Sequence, residues 1–517
     1  MELDIKFLIP EVILLAAACI CTLMGLSSKD SVRRLTQGLA ALACLAAFVA
    51  AITDNFGLAS LRNYLDLSPN RFALPFNPNY ISLLAAIIGF LSILAAWDMP
   101  SKSDPATTES NNRGEFFGML LFSLAGVSMI GKVNDLIWLF IVLELVSIPT
   151  YIMVATGRSQ IIAQEAGIKY FFLGALAAAI FLFGFSYIYG ATGFTRFEQI
   201  HAWFANDAHP ITPLAMIGFI MVLIGVGYKI AAWPLHFYAP DVYQGAATPV
   251  TAFLAFAPKT AGIVAIISVL NMLNFEYVGV GAAIGASVAV IAAVTMTVGN
   301  VMALLQRNIK RIFAYSSIAH SGYMLVGLVS MDKTVAAGDG VTATIFYLTS
   351  YAIMNLGAFA ALIYLQGKAD AAEDIDDIAG VAKTHPIAAL MMTLCLFSLI
   401  GMPLTVGFLG KFYLVSRALS TGHQVLAVIV MINAAIAAAY YLKIVAAMYL
   451  REALYPFTVR NLVPIKAAAV VCTLAVVVFF VVPNVLILAN NTELPAPTPT
   501  KTSQDMPKSS VTPALQP

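Results

Sequence analysis

Charge is scarce in this chain. Asp, Glu, Lys and Arg make up 11% of its 517 residues, against roughly 25% in a soluble domain, and the formal net charge is only +1. A chain so balanced has no positive field with which to hold nucleic acid, so no such partner is expected. Cysteine is scarce too. Cys19, Cys21, Cys44, Cys395 and Cys472 form no CxxC pair of the kind that holds a metal or redox centre. Cys19 and Cys21 fall on different faces of a helix, and all five read as packing residues. Nucleotide fingerprints and iron–sulfur spacings are absent, so the chain is expected to carry no cofactor and no electrons of its own. Histidine is sparse and unclustered: His236 and the loop residues His201, His209, His385 and His423 read as structural or solvated.

What the chain has in abundance is apolar surface. Sixty per cent of its residues are hydrophobic, that is 60%, and the mean hydropathy is +0.86, the mark of a polytopic membrane protein. The N-terminal run MELDIKFLIPEVILLAAACICTLMGL lacks a basic region and a small-residue cleavage site, so it is expected to stay as a helix. Apolar stretches of about 20 residues predict an all-α membrane protein of about fourteen transmembrane helices. Their limits are 7–26, 35–53, 78–97, 115–131, 134–156, 163–190, 212–238, 248–273, 277–305, 309–330, 340–365, 386–418, 424–450 and 464–488. The seventh and twelfth are too long for plain spans. Each contains a breaker, Trp233-Pro234 in one and GMPLTVG (Gly401 to Gly407) in the other, which predicts two discontinuous helices.

Helices 4 to 8 and helices 9 to 13 form two five-helix blocks with a broken helix fourth in each. An odd number of helices per block reverses the second copy in the bilayer, an inverted repeat. The domain reading is therefore residues 1–98 for helices 1 to 3, 115–273 and 277–450 for the two bundles, 464–488 for helix 14, and 491–517 for a disordered Pro-, Thr- and Ser-rich tail. Basic residues number 14 in the loops on one side, among them Arg158, Lys310 and Arg311, and 9 on the other, among them Lys132. The excess of positive charge marks the inside, which places both termini outside.

Five lysines remain within spans: Lys169, Lys229, Lys259, Lys411 and Lys443. An ionisable group in hydrocarbon costs several kcal/mol and is expected to face a partner or a wet path. Glu144 lies about eleven residues into helix 5, near mid-membrane on a rise of about 1.5 Å per residue. Its bland reading is a protonated carboxyl bonded to a neighbouring helix. Its functional reading is the charge partner of Lys229, which precedes the Pro234 break. Moving one relative to the other changes whether the lysine keeps its proton. Lys259, after Pro258, is too deep to snorkel easily and suits a relay, and Lys411, past the GMPLTVG break, suits the exit end of a proton path. Snorkelling competes for Lys169 and Lys443, and Lys443 is taken as structural. His320, in SSIAHSGYM, either carries protons between the blocks or is a hydrogen-bonded core histidine. The segment APDVYQGAATPVT reads as a turn-rich connection that holds the broken helix.

With those charges placed, three long strings become informative: GYKIAAWPLHFYAPDVYQGAATPVTAFLAFAPKTAG, GNVMALLQRNIKRIFAYSSIAHSGYML and SLIGMPLTVGFLGKFYLVSRAL. They resemble the antiporter-like membrane subunits of complex I, the proton-pumping NADH–quinone oxidoreductase, over essentially all predicted spans. Within that family the chain is most similar to the N-type subunits, counterparts of mitochondrial subunit 2. The M-type has a glutamate where Lys411 stands, and the L-type carries a long lateral helix that this chain lacks. The resemblance implies two inverted half-channel bundles joined by a hydrophilic axis, with Glu144 and Lys229 as charge pair, Lys259 as central residue and Lys411 as terminal lysine. It implies K-type and M-type neighbours, an L-type lateral helix alongside, a bacterial inner membrane, and flavin, iron–sulfur clusters and quinone held by other subunits. The competing expectations are a subunit of a multisubunit sodium/proton antiporter, which shares fold and lysines, and a passive scaffold whose charges merely pair helices.

Overall fold

A backbone in hydrocarbon has to satisfy its own N–H and C=O groups, and long apolar runs do so as helices. The computed structural model describes residues 8–62, 77–99, 113–158, 161–206, 211–273, 280–330, 339–366, 373–453, 459 and 462–486, and among these it contains helices and no β-strand. The tail and the polar loop around Asp104 lie outside the described residues.

The N-terminal unit is α1 (Ile9–Gly25), α2 (Asp30–Arg62) and α3 (Pro78–Ala95). Next come α4 (Arg113–Met129), α5 (Leu136–Thr156), α6 (Ile161–Thr192), the short α7 (Phe197–Phe204) and α8 (Pro213–Lys229). Three pieces follow, α9 (Ala239–Gly245), α10 (Thr248–Leu254) and α11 (Ala257–Met272). Then α12 (Val280–Leu304), α13 (Ile309–Val329) and α14 (Asp339–Leu365) lead through α15 (Val381–Thr384) to α16 (Pro386–Ile400), α17 (Val406–Ser420), α18 (Gln424–Leu450) and α19 (Val463–Val481). Among the described residues eleven spans are long and apolar enough to cross a membrane, with α1, α8 and α16 as shorter apolar helices.

Helix starts follow local chemistry. Asn77, Asp135, Thr212 and Asn308 each cap a helix by accepting a backbone N–H, and Pro258 stands in the first turn of α11, where its missing N–H does no harm. The core is the set of helices with no outward face. The spans Thr248–Met272 and Gly340–Leu365 are 100% buried and Ile309–Val329 is 94% buried, whereas those through α6, α18 and α19 are 39%, 39% and 33% buried. The outer helices turn Ile, Leu, Val and Phe outward, as a lipid-facing surface requires.

Three predicted elements are corrected. Helix 7 does not run to Trp233-Pro234 but ends at Lys229, because Ala231 takes a left-handed conformation (φ 55°). The Ala232 N–H then returns to the Gly227 carbonyl and that of Ala231 to Tyr228, a Schellman-type stop. The segment 239–251, expected as a turn-rich connection, is largely helical in α9 and α10, and helix 8 is itself interrupted at Ala255–Phe256, directly before Lys259. The break of helix 12 is as expected: Gly401 (φ 87°) closes α16 with the same pair of bonds, Met402 to Phe397 and Gly401 to Ser398.

Candidate functional site

A helix interrupted inside the membrane frees carbonyls, and a buried ammonium can use them. Around these breaks the structure gathers one row of polar side chains. At one end Lys229, on the last turn of α8, donates to the Glu144 carboxylate of α5 at 3.0 Å and to Ser147 Oγ at 2.6 Å. The lysine side chain is 3% exposed and the glutamate 17%. An internal cavity lined by Lys229, Tyr170, Tyr238, Tyr243 and Lys259 opens beside this pair. The two lysines thus share a space, although no direct bond joins them.

Lys259 donates to the Ser317 carbonyl and, at 2.6 Å, to Ser317 Oγ on α13; Tyr243 Oη lies 3.1 Å from the same hydroxyl. The Lys259 ammonium also sits 5.0 Å from the Tyr351 ring centroid. His320 lies tilted against that ring at 4.8 Å, stacks on Tyr347 and shares a hydrogen bond of 2.7 Å with it, and meets the Tyr323 ring edge-on at 5.6 Å. The Lys411 ammonium in turn lies 4.9 Å from the centroid of the Tyr323 ring. Two of its protons go to the carbonyls of Leu399 and Ile400, at 2.9 and 2.7 Å. Those are the last carbonyls of α16, the negative end of a half-helix dipole.

Of the residues singled out in the sequence, Glu144, Lys229, Lys259, His320 and Lys411 therefore lie in one connected row, with none of the four basic groups more than 7% exposed. The ammonium groups face the interior and not lipid headgroups. Lys169 stands apart: its side chain is 44% exposed and pairs with Glu165 and Asp241. Lys443 is also outside the row, near the Gln306 carbonyl.

Several residues escaped the sequence reading. Tyr323, Tyr347, Tyr351, Tyr440 and Tyr441 are fully buried: Tyr351 faces Lys259, Tyr347 bonds His320, Tyr323 faces Lys411, and Tyr440 and Tyr441 bond Asn300 and Ser316; in the sequence nothing distinguishes them from lipid-belt tyrosines. Lys132, read as a loop charge, is 3% exposed and paired at 2.8 Å with Glu11, which is 1% exposed and also accepts from Ser82 and Ser128. Lys310, read likewise, is 0% exposed; it binds the Gln244 and Ala246 carbonyls and Glu373. Glu373 is shared with Arg158, and Arg311 pairs with Asp241. Partial burial pushes the Glu373 carboxyl up, but Lys310 and Arg158 outweigh it and hold it below the usual carboxylate range. Among the described residues no three His, Cys, Asp or Glu side chains cluster as a metal site.

This arrangement matches known proteins over most of its length. Residues 133–437 fit the family model described as NADH:quinone oxidoreductase/Mrp antiporter, TM. NADH-quinone oxidoreductase subunit N of Trichlorobacter lovleyi is 39% identical over 380 residues, 73% of this chain and 76% of that protein. The subunit N of a Geobacillus species is 36% identical over 493 residues, 93% and 96% of the two chains. The chain belongs to the NADH-quinone oxidoreductase subunit N family. Among solved structures, a chain of respiratory complex I from Thermus thermophilus with bound aureothin superposes on this member of the family with a TM-score of 0.72 at 26% identity, covering 93% of this chain and 100% of that one. A chain of the Mrp complex from Dietzia shares the fold alone, with TM-score 0.75 at 18% identity over 94% and 96% of the two chains.

Proposed function

We propose that this chain translocates protons as a membrane-arm subunit of a respiratory NADH–quinone oxidoreductase, the electron transfer from NADH to quinone taking place in other subunits. The observation that carries the reading is the Glu144–Lys229 pair, opening through a shared cavity onto Lys259 and continuing through His320 to Lys411. Desolvation and a movable carboxylate are the two means by which a buried lysine is made to take up and give back a proton. Glu144 is the group whose approach to or withdrawal from Lys229 would time the passage of a proton toward Lys259, from which the row continues to His320 and Lys411.

In this reading the three lysines and His320 carry the proton, Glu144 sets the timing, and the hydroxyls of Ser147 and Ser317 hold the ammonium groups in place. The chain spans a bacterial inner membrane about fourteen times with both termini outside, its two half-channel bundles (115–273 and 277–450) related as inverted repeats after an N-terminal unit (1–98) and before helix 14 (464–488). Lys169 belongs to a surface ion pair and has no part in the row. Neighbours are other membrane-arm subunits, of the K and M types, with the L-type lateral helix running alongside. Flavin, iron–sulfur centres and quinone belong to the rest of the assembly.

In the intact complex, Glu144→Ala and Lys229→Ala are expected to leave assembly in place and to reduce coupled proton pumping at least tenfold. Full pumping by both variants in proteoliposomes would reject the charge-pair mechanism. The fold shared with an Mrp chain leaves a sodium/proton antiporter subunit as the competing assignment. Co-purification decides it, since flavin and iron–sulfur proteins accompany one assembly and only small membrane proteins the other.

A further inference from the structure

We propose that Asn300 is a positioning residue for Lys411, acting through the ring of Tyr323. The inference rests on the proton-carrying role of Lys411 and goes beyond it, because it concerns what fixes the surroundings of that lysine. Lys411 forms no ion pair with a carboxylate among the described residues; its ammonium is held by the two α16 carbonyls and by the face of Tyr323. A cation over an aromatic ring is attracted by the ring quadrupole, and more strongly in a dry site. That attraction depends on where the ring lies.

Asn300 decides where it lies. Fully buried on α12, its Nδ2 is 3.0 Å from Tyr323 Oη on α13 and 3.1 Å from Asn433 Oδ1 on α18, while its Oδ1 accepts from Tyr440 Oη at 3.0 Å. Asn433 in turn donates to Thr297 Oγ1 back on α12. One amide therefore ties three helices together and anchors the ring by its hydroxyl. The half-helix α16 sets one side of the Lys411 site, and this hub sets the other. A shift of α12 against α18 would swing the ring from beneath the ammonium, so the hub passes movement of the outer helices to the charge on Lys411. The titratable groups around it are Tyr323 and His320 on α13, Tyr347 on α14, and Tyr440 and Tyr441 on α18.

The test uses the intact complex in proteoliposomes, with proton pumping measured per electron transferred. Asn300→Leu and Tyr323→Phe are each expected to lower that ratio several-fold and to move the pH at which it is greatest. The double variant is expected to be no worse than Asn300→Leu alone, since Tyr323→Phe removes a bond that Asn300→Leu has already removed. Asn300→Asp, which keeps an oxygen for Tyr440 and, when protonated, a donor for Tyr323, is expected to recover most of the ratio. Additive losses, or a pH profile unchanged beside a mere fall in yield, would overturn the proposal. Should Asn300→Leu fail to assemble, Tyr323→Phe, which removes a single oxygen, decides alone. Lys411→Met with full pumping would sink the proton-carrying role itself. Lys411→Met that does not pump, together with Asn300→Leu and Tyr323→Phe that pump like the parent, would sink only the present inference.

Discussion

Individual charges separate by the company they keep. Glu144 and Lys229 were legible as a pair because each interrupts a long apolar run, and a charge in hydrocarbon has to be answered by another. Glu11 and Lys132 form an equally buried pair that the sequence conceals. Glu11 follows Pro10 in the first turn of α1, where an acidic residue is ordinary, and Lys132 closes a helix end where a solvated lysine is ordinary. Only the approach of α1 to α4 brings them together. Removing one partner strands a buried charge, which costs about 3–5 kcal/mol, whereas replacing both with apolar residues is often nearly neutral. Lys132→Leu is therefore expected to destabilise the purified protein markedly, and Glu11→Leu with Lys132→Leu to recover most of the loss. Thermal unfolding in detergent measures both, and a double variant as unstable as the single would contradict the argument.

At the scale of helices, small residues determine which pairs come close. Without water to drive association in lipid, helices pack by fit, and glycine lets backbones meet. A Cβ added at Gly322 on α13 would stand 2.7 Å from the Met296 nitrogen on α12, so Gly322→Leu has to push the two helices apart. The expected result is a loss of about 1–3 kcal/mol or more from overpacking, seen as reduced assembled complex on native gels. Gly285→Ala, on the same α12 with nothing within 4 Å of the new methyl, is expected to assemble normally. Helix ends show a different limit of sequence. The α16 stop was visible because glycine occupies its left-handed position, as left-handed stops favour. The α8 stop was misplaced because alanine holds the equivalent position at Ala231. Nothing in an alanine announces a positive φ; the Ile230 carbonyl accepts from the Ser321 hydroxyl, and the Tyr228 carbonyl, already bonded to the Ala231 N–H, accepts from the Tyr238 hydroxyl as well, partners that lie beyond the helix itself.

Across the whole molecule, one end carries the polar cluster of Glu373, Lys310, Arg158, Asp241 and Arg311, which ties the connection before α15 to α13 and to the loop after α5. Glu373 is held below its ordinary value of 4.5, so its ion pairs stabilise the fold fully above that pH, and the contribution is lost as the pH falls through the lowered value. Asp374 works in the opposite direction: burial and the neighbouring acids Asp377, Glu373 and Asp376 raise it, and protonating it relieves repulsion. Unfolding temperature is expected to fall on acidification below about pH 4.5, and Glu373→Gln is expected to flatten that fall. An unchanged slope in the variant would show that the cluster does not contribute.

Composition and periodicity alone determined that the chain lives in a membrane as helices, that helices 7 and 12 are interrupted, and that Lys229, Lys259 and Lys411 lie inside apolar helices and need partners, because each of these follows from the cost of exposing polar groups to hydrocarbon. The tertiary structure decided which of the charges meet. It sent Lys169 to the surface, buried Lys132 and Lys310, and brought the Tyr351 ring to Lys259 and the Tyr323 ring to Lys411, with the Asn300 amide on the Tyr323 hydroxyl. Those contacts depend on where helices cross, and a polar side chain carries no mark of the partner that packing will bring to it.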